Sequence, residues 1–136
     1  MDTHNRKLVL ASSGALFSAK GRFAEAFYDR LFDLAPEVRA LFRVDMTHQK
    51  RMLMAALAMV VGVLGDRERL AKTAADLGRV HAQRQVTAAH LDIGQQAFDL
   101  ALQDFFGTDY TPELRAAWGE AFAELVTLMR LDEAAA

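Results

Sequence analysis

Apolar residues in this chain return every three or four positions, and no stretch alternates as a half-buried strand would. Phe23, Phe27, Leu31 and Leu34 follow at spacings of 4, 4 and 3, which is one face of a helix. Leu114, Trp118, Phe122, Leu125 and Met129 repeat the pattern near the other end. In the first segment Leu8, Ala11, Ala15 and Phe17 are the residues expected to turn inward. Both prolines stand where a helix should start: Pro36 ahead of a short apolar run, and Pro112 behind a Thr111 cap. A proline there loses no hydrogen bond, because that N–H has no partner within a helix. The pattern predicts helices near 3–19, 21–35, 36–42, 47–65, 74–83, 88–106 and 112–131. Gly65-Asp66 and Gly107-Thr108-Asp109 read as stops, and Gly21 marks a close junction. With no Asn-Gly or Asp-Gly hairpin, the class is all-α.

The segment from 47 to 65 stands apart, being apolar nearly all round from Met52 to Gly65. A helix without a polar face must be covered on several sides. A simple bundle covers it poorly; neighbouring helices on one side and a ligand on the other cover it well. The stretch is shorter than the roughly 20 residues a membrane span requires. At 136 residues the chain fits one domain, taken as 1–136, with a real core. Its 52% hydrophobic and 25% charged residues suit a tight bundle and a ligand-wrapping fold equally. A net charge of −2, with basic groups such as Lys50-Arg51 interrupted by apolar or acidic neighbours, points to no nucleic acid and no membrane. The lack of cysteine excludes disulfides, thiolate metal sites and cysteine nucleophiles. Together with an N-terminus that does not resemble a signal peptide, it is compatible with a reducing cytoplasm.

Three polar residues fall at places that invite chemistry. His81 ends a short predicted helix, one turn after Leu77. Neutral imidazole is a common iron ligand, although by position alone a histidine here is more often a cap or core residue. Gln49 lies where the stripe of Leu53, Leu57 and Val60 is continued back by one turn. An amide buried there without a partner would cost about 1–3 kcal/mol, whereas at a helix start it can be solvated. Tyr28 follows Phe27 inside the second helix and can aim its hydroxyl inward. One axial ligand facing two hydrogen-bond donors is the arrangement that binds a polarised diatomic at iron.

The same residues, in this order and spacing, resemble the bacterial branch of the globin family, in particular flavohaemoglobin haem domains. Phe27-Tyr28-Asp29-Arg30-Leu31-Phe32 is similar to the segment with the distal tyrosine, and Pro36 to Phe42 to the short helix ending in a haem-packing phenylalanine. Gln49 and Leu53 match the distal glutamine and leucine. Asp76-Leu77-Gly78-Arg79-Val80-His81 resembles the segment bearing the proximal histidine, and Ala117-Trp118-Gly119-Glu120-Ala121-Phe122 the last helix. The resemblance implies a globin fold, a three-over-three α sandwich of about eight helices crossing at roughly 50° around a haem. It implies haem b (iron protoporphyrin IX) as cofactor, His81 as metal ligand, and contacts from Tyr28, Phe42, Gln49, Leu53, Leu77 and Val86. Arg84 stands where an aromatic residue is often found and is assigned to a haem propionate.

Two departures bear on activity. Flavohaemoglobins place a tyrosine ten positions after the ligand histidine, paired with a glutamate near the end of the last helix. Here the position holds Leu91, with Glu133 near the glutamate place. The expected partner of His81 is therefore a backbone carbonyl around Leu77. The expectation is a globin domain without a flavin- or nicotinamide-binding reductase segment. The implied function is reversible binding of O2, and of NO or CO, for oxygen binding, transport or sensing. The alternative is nitric oxide dioxygenation with an external reductase. His48 is a minor alternative as a sixth ligand; His90 is expected at the haem edge or in solvent; His4 belongs to the N-terminal fray.

Overall fold

A computed structural model describes residues 1–19, 21–42 and 45–135, with side chains described as far as Arg130. Six α-helices run through them: α1 Thr3–Ser18, α2 Arg22–Leu34, α3 Met46–Gly62, α4 Arg67–Gln83, α5 Ala88–Phe106 and α6 Pro112–Ala135. Short 3-10 segments cover Pro36–Leu41 and Gly107–Asp109. No strand occurs among the described residues, and no described helix is long and apolar enough to cross a membrane. The helices form the two trios of the expected sandwich, α1–α3–α4 and α2–α5–α6, with the most extensive packing between α4 and α6 and between α2 and α5. The trios meet where α1 and α4 pack on α6 and α2 packs on α3, which is the three-over-three sandwich.

Local chemistry explains most of the boundaries. Thr111 Oγ1 accepts the Leu114 N–H at 3.1 Å, capping α6 as its Thr-Pro start implies. Asp45 caps α3, its carboxylate accepting from the Thr47 N–H. Gly21, at φ 90°, opens α2 with a left-handed backbone that suits glycine. α4 begins seven residues earlier than the apolar pattern predicts, at Arg67 rather than near 74. Asp66 caps it through the Arg69 N–H, and the charged Arg67-Glu68-Arg69 turn is its exposed first turn. Leu70 and Ala74 form its buried side.

The inward face of α1 differs by about one residue from the expectation. Val9, Ser13 and Leu16 are buried, Leu8 is half-buried, and Ala11, Ala15 and Phe17 are exposed. The inner stripe is disguised by serines whose hydroxyls turn back onto the helix. Ser12 Oγ donates to the Leu8 carbonyl and Ser13 Oγ to the Leu10 carbonyl. Ser12 Oγ also accepts the Trp118 indole N–H at 2.9 Å, tying α1 to α6. In α2, Phe23, Phe27 and Leu31 are buried as expected, but Leu34 in the last turn is exposed. Phe23, Phe27, Phe98, Trp118 and Phe122 form one connected aromatic cluster between α2, α5 and α6.

Gly78 sets how closely α4 approaches α6. A Cβ built there would lie 2.9 Å from the Met129 carbonyl oxygen, a backbone atom that cannot step aside. Gly78→Ala should therefore lower unfolding stability by about 1–3 kcal/mol, the usual effect of overpacking. Gly14→Ala, at an exposed α1 position with nothing within 4 Å, should raise it by about 0.5–1 kcal/mol. Urea denaturation of the two variants checks the contrast, and equal effects would contradict the close approach.

Candidate functional site

An apolar cavity of about 270 Å³ lies between α3 and α4 and reaches α2, α5 and α6. Its wall includes Tyr28, Phe42, Gln49, Leu53, Leu77, His81, Arg84 and Val86, the eight residues the resemblance assigns to the haem. Leu57 and Val60 of α3 join them, so the helix without a polar face turns one side to this cavity. Met52 and Val80 belong to the wall although they are 40% and 42% exposed, leaving apolar surface along its edge.

On the α4 side, the sequence Leu77 to Val86 holds an imidazole in one orientation. His81 Nδ1 lies 2.7 Å from the Leu77 carbonyl oxygen. A carbonyl only accepts, so Nδ1 carries the proton and Nε2 keeps a lone pair for a ligand role. One turn of helix supplies the contact, because residues four apart share a face. α4 then ends in a reversed cap. The Val86 N–H bonds the His81 carbonyl and the Gln85 N–H bonds the Ala82 carbonyl, with Gln85 at φ 66°. This double bonding around a left-handed residue usually employs glycine. It brings Arg84 and Val86 to the cavity wall just beyond His81.

Across the cavity, Tyr28 is buried in a box of rings. Phe27, Phe32 and Phe42 surround it at centroid distances of 5.1, 5.9 and 5.5 Å. Gln49, in the first turn of α3, donates from Nε2 to the Tyr28 hydroxyl oxygen at 3.0 Å. Its other amide end accepts from Arg84 Nη1 at 3.4 Å. Burial pushes the Tyr28 phenol above its ordinary pKa, while the Gln49 bond and the Arg84 charge pull the other way. The phenol thus remains a donor throughout the neutral range.

The remaining histidines separate cleanly. His48 is exposed and absent from the wall, because adjacent helical residues point about 100° apart. His4 is exposed and pairs with Glu113 at 2.5 Å. His90 does line the cavity, and its Nδ1 accepts the Thr87 N–H in a capping box at the start of α5. Leu91 also lines it, so the position ten after His81 offers no hydrogen bond. The Glu133 side chain lies outside the described residues. The sequence left His90 between the haem edge and solvent, and the fold puts it in the wall together with Leu91.

A wider groove of about 610 Å³ runs along α5 and α6 behind Phe98, Trp118 and Phe122. Its charged groups are already committed: Asp99 to Tyr110 and Arg115, and Asp92 to Arg130. Burial, then the bond to Asp99, pushes the Tyr110 phenol up. The α3–α4 cavity, by contrast, brings His81, Tyr28, Gln49 and Arg84 into one wall. Among the described residues no three His, Asp or Glu side chains gather as a metal cage.

Residues 25–129 match the Globin family. The chain belongs to that family, and family membership implies haem binding. It is 28% identical to the hemoglobin subunit alpha-D of Columba livia over 92% of this chain and 93% of that one. An anaerobic nitrite reductase of Oryza sativa subsp. indica is 24% identical, covering 91% of this chain and 90% of its own. Among solved structures, an engineered carbene transferase made from a proposed nitric oxide dioxygenase of Rhodothermus marinus superposes with a TM-score of 0.87. That protein is 28% identical, over 98% of this chain and 94% of that one. The cavity fits a haem on its own terms: an apolar slot, an imidazole whose Nδ1 is held by a carbonyl, and a tyrosine–glutamine pair in the same wall.

The left-handed Gln85 carries a backbone cost that glycine would not, about 1–2 kcal/mol before chain entropy is counted. Gln85→Gly should accordingly raise stability by about 0.5–1 kcal/mol in thermal unfolding. A loss of stability would show that the glutamine side chain makes compensating contacts.

Proposed function

We propose that the protein reversibly binds O2, and also NO or CO, at a haem b held by His81, for oxygen binding, transport or sensing. The observation that carries this reading is that His81, its Nδ1 held by the Leu77 carbonyl, and the hydrogen-bonded Gln49–Tyr28 pair line one apolar cavity. When bound, the haem supplies an iron position where a diatomic gas is taken up and released. His81 is its metal ligand, with the Leu77 carbonyl holding the ring by accepting from Nδ1. Phe42, Leu53, Leu77 and Val86 supply apolar contact, and the Arg84 guanidinium suits a propionate at the exposed edge. With no cysteine in the chain, thioether attachment is excluded, which favours haem b.

Tyr28 and Gln49 decide what the cavity retains. Because Gln49 donates to the phenol oxygen, the phenol proton is left to donate to a ligand. Donors favour a gas that carries negative charge when bound, so O2 gains more than CO. The apolar wall excludes water and protects the bound gas from competing protons.

Nitric oxide dioxygenation is the second reading, favoured by the Rhodothermus marinus neighbour and by the same donor pair. Converting O2 and NO to nitrate takes one electron per turnover, so an external reductase would be a partner. Leu91 and the neutral carbonyl partner of His81 argue against a strongly electron-donating ligand.

Two variants test the assignment. His81→Gly should lose stable haem, or recover it only with added imidazole, as read from the oxidised, reduced and CO-bound visible spectra. An unchanged spectrum would remove His81 from the ligand role. Tyr28→Phe deletes a hydrogen bond to a partly charged acceptor, worth about 1.5–3 kcal/mol, so O2 release should speed up roughly 10- to 150-fold. Stopped-flow rates within about twofold of the parent, a change of roughly 0.4 kcal/mol or less, would mean that Tyr28 does not face the gas.

A further inference from the structure

Arg84 touches Gln49, and that contact determines which way a chain of hydrogen bonds runs. The two ends of a glutamine amide are nearly identical in shape, so its partners set its orientation. In one orientation Nε2 donates to the Tyr28 oxygen, and the phenol proton remains for a ligand. In the other, Oε1 accepts the phenol proton, and Tyr28 turns a lone pair toward the gas. The Tyr28 hydroxyl accepts either arrangement, because it is both donor and acceptor. Arginine has no acceptor, so a guanidinium beside Gln49 permits only the orientation that presents Oε1 to it.

We propose that Arg84 is a positioning residue for gas binding: by donating to Gln49 Oε1 it commits the amide N–H to Tyr28 and so commits the Tyr28 proton to the ligand. Three observations place it there. Arg84 Nη1 lies 3.4 Å from Gln49 Oε1, and Gln49 Nε2 lies 3.0 Å from the Tyr28 oxygen. All three side chains line the same cavity although they come from α2, α3 and the end of α4. The left-handed Gln85 stands immediately after Arg84, a strained backbone position of the kind that accompanies function. The Gln49 contact uses one of the five guanidinium N–H groups, so the same side chain can also reach a propionate. Successive donors in one direction polarise each other, which makes the phenol a stronger donor than Gln49 alone would.

The inference rests on the reading of the cavity as a gas-binding haem pocket, and the test separates the two. The C–O stretch of the CO-bound protein reports the field of the distal donors, independently of turnover. Arg84→Met should raise that frequency or split the band into two, one for each amide orientation. It should also speed O2 release roughly threefold or more, as expected for losing a polarising neighbour. In a Gln49→Leu background the same change should alter neither reading, because the residue through which Arg84 acts is gone. An unshifted single band in Arg84→Met, or an equal shift with and without Gln49, would overturn the proposal. Equal shifts would assign Arg84 to the propionate edge or directly to the ligand. Tyr28→Phe is measured alongside. If it moves the band while Arg84→Met does not, only the role of Arg84 fails. If Tyr28→Phe is silent as well, the distal reading of the cavity fails with it.

Discussion

Gly78 lies against the Met129 backbone so closely that α4 and α6 meet with no side chain between them at that point. Much of the site depends on this contact. Leu77 and His81 share the face of α4 that turns to the cavity, and α4 packs more extensively on α6 than on its neighbour α3. The imidazole is therefore placed by a helix anchored from behind, and the gap between α3 and α4 is left to form the slot. A larger residue at 78 would push α4 off α6 and move His81 with it. The Leu77 carbonyl then fixes the ring about its own bonds, so one short stretch of chain sets position, tautomer and direction.

The opposite wall is controlled by polarity. Tyr28 is buried among aromatic rings, which raises its pKa and keeps it a neutral donor. Without Gln49 its hydroxyl would be free to rotate within that box. The amide breaks the symmetry by occupying the oxygen, and an otherwise apolar cavity acquires a directed proton. Such a donor costs little when it forms no bond to a ligand, since one of its hydrogen bonds is already made within the protein. In the proposed role it would distinguish ligands by their charge when bound, more than by size. Among the described residues His81 meets a backbone carbonyl, with Leu91 in the wall, so the two sides of the cavity differ in polarity.

Much of this was legible in the residues. Period, proline placement and caps located six helices and the short segment at Pro36–Leu41, because those signals act locally. The apolar run from Met52 to Gly65 announced a helix covered on more than one face, and its Leu53, Leu57 and Val60 line the cavity. Errors arose where polar residues were satisfied within a helix. Ser12 and Ser13 return their hydroxyls to carbonyls of α1, so they pack inward without a polar signature. The charged first turn of α4 concealed its start, since Leu70 and Ala74 alone mark its buried side.

The sequence by itself determined which side chains were available for chemistry: one histidine at the end of a helix, one tyrosine and one glutamine on inward faces. Their spacing along the chain also determined which of them shared a helix face, because helical geometry converts sequence distance into direction. Tertiary structure decided their relations. Tyr28 and Arg84 are 56 positions apart, yet both bond the two ends of one amide. His90 and Leu91 reach the wall because α5, packed on α2 and α6, presents its first turn to the cavity. Hydrogen bonds between helices depend on how apolar faces stack, and that stacking is a property of all the faces together. No local pattern contains it.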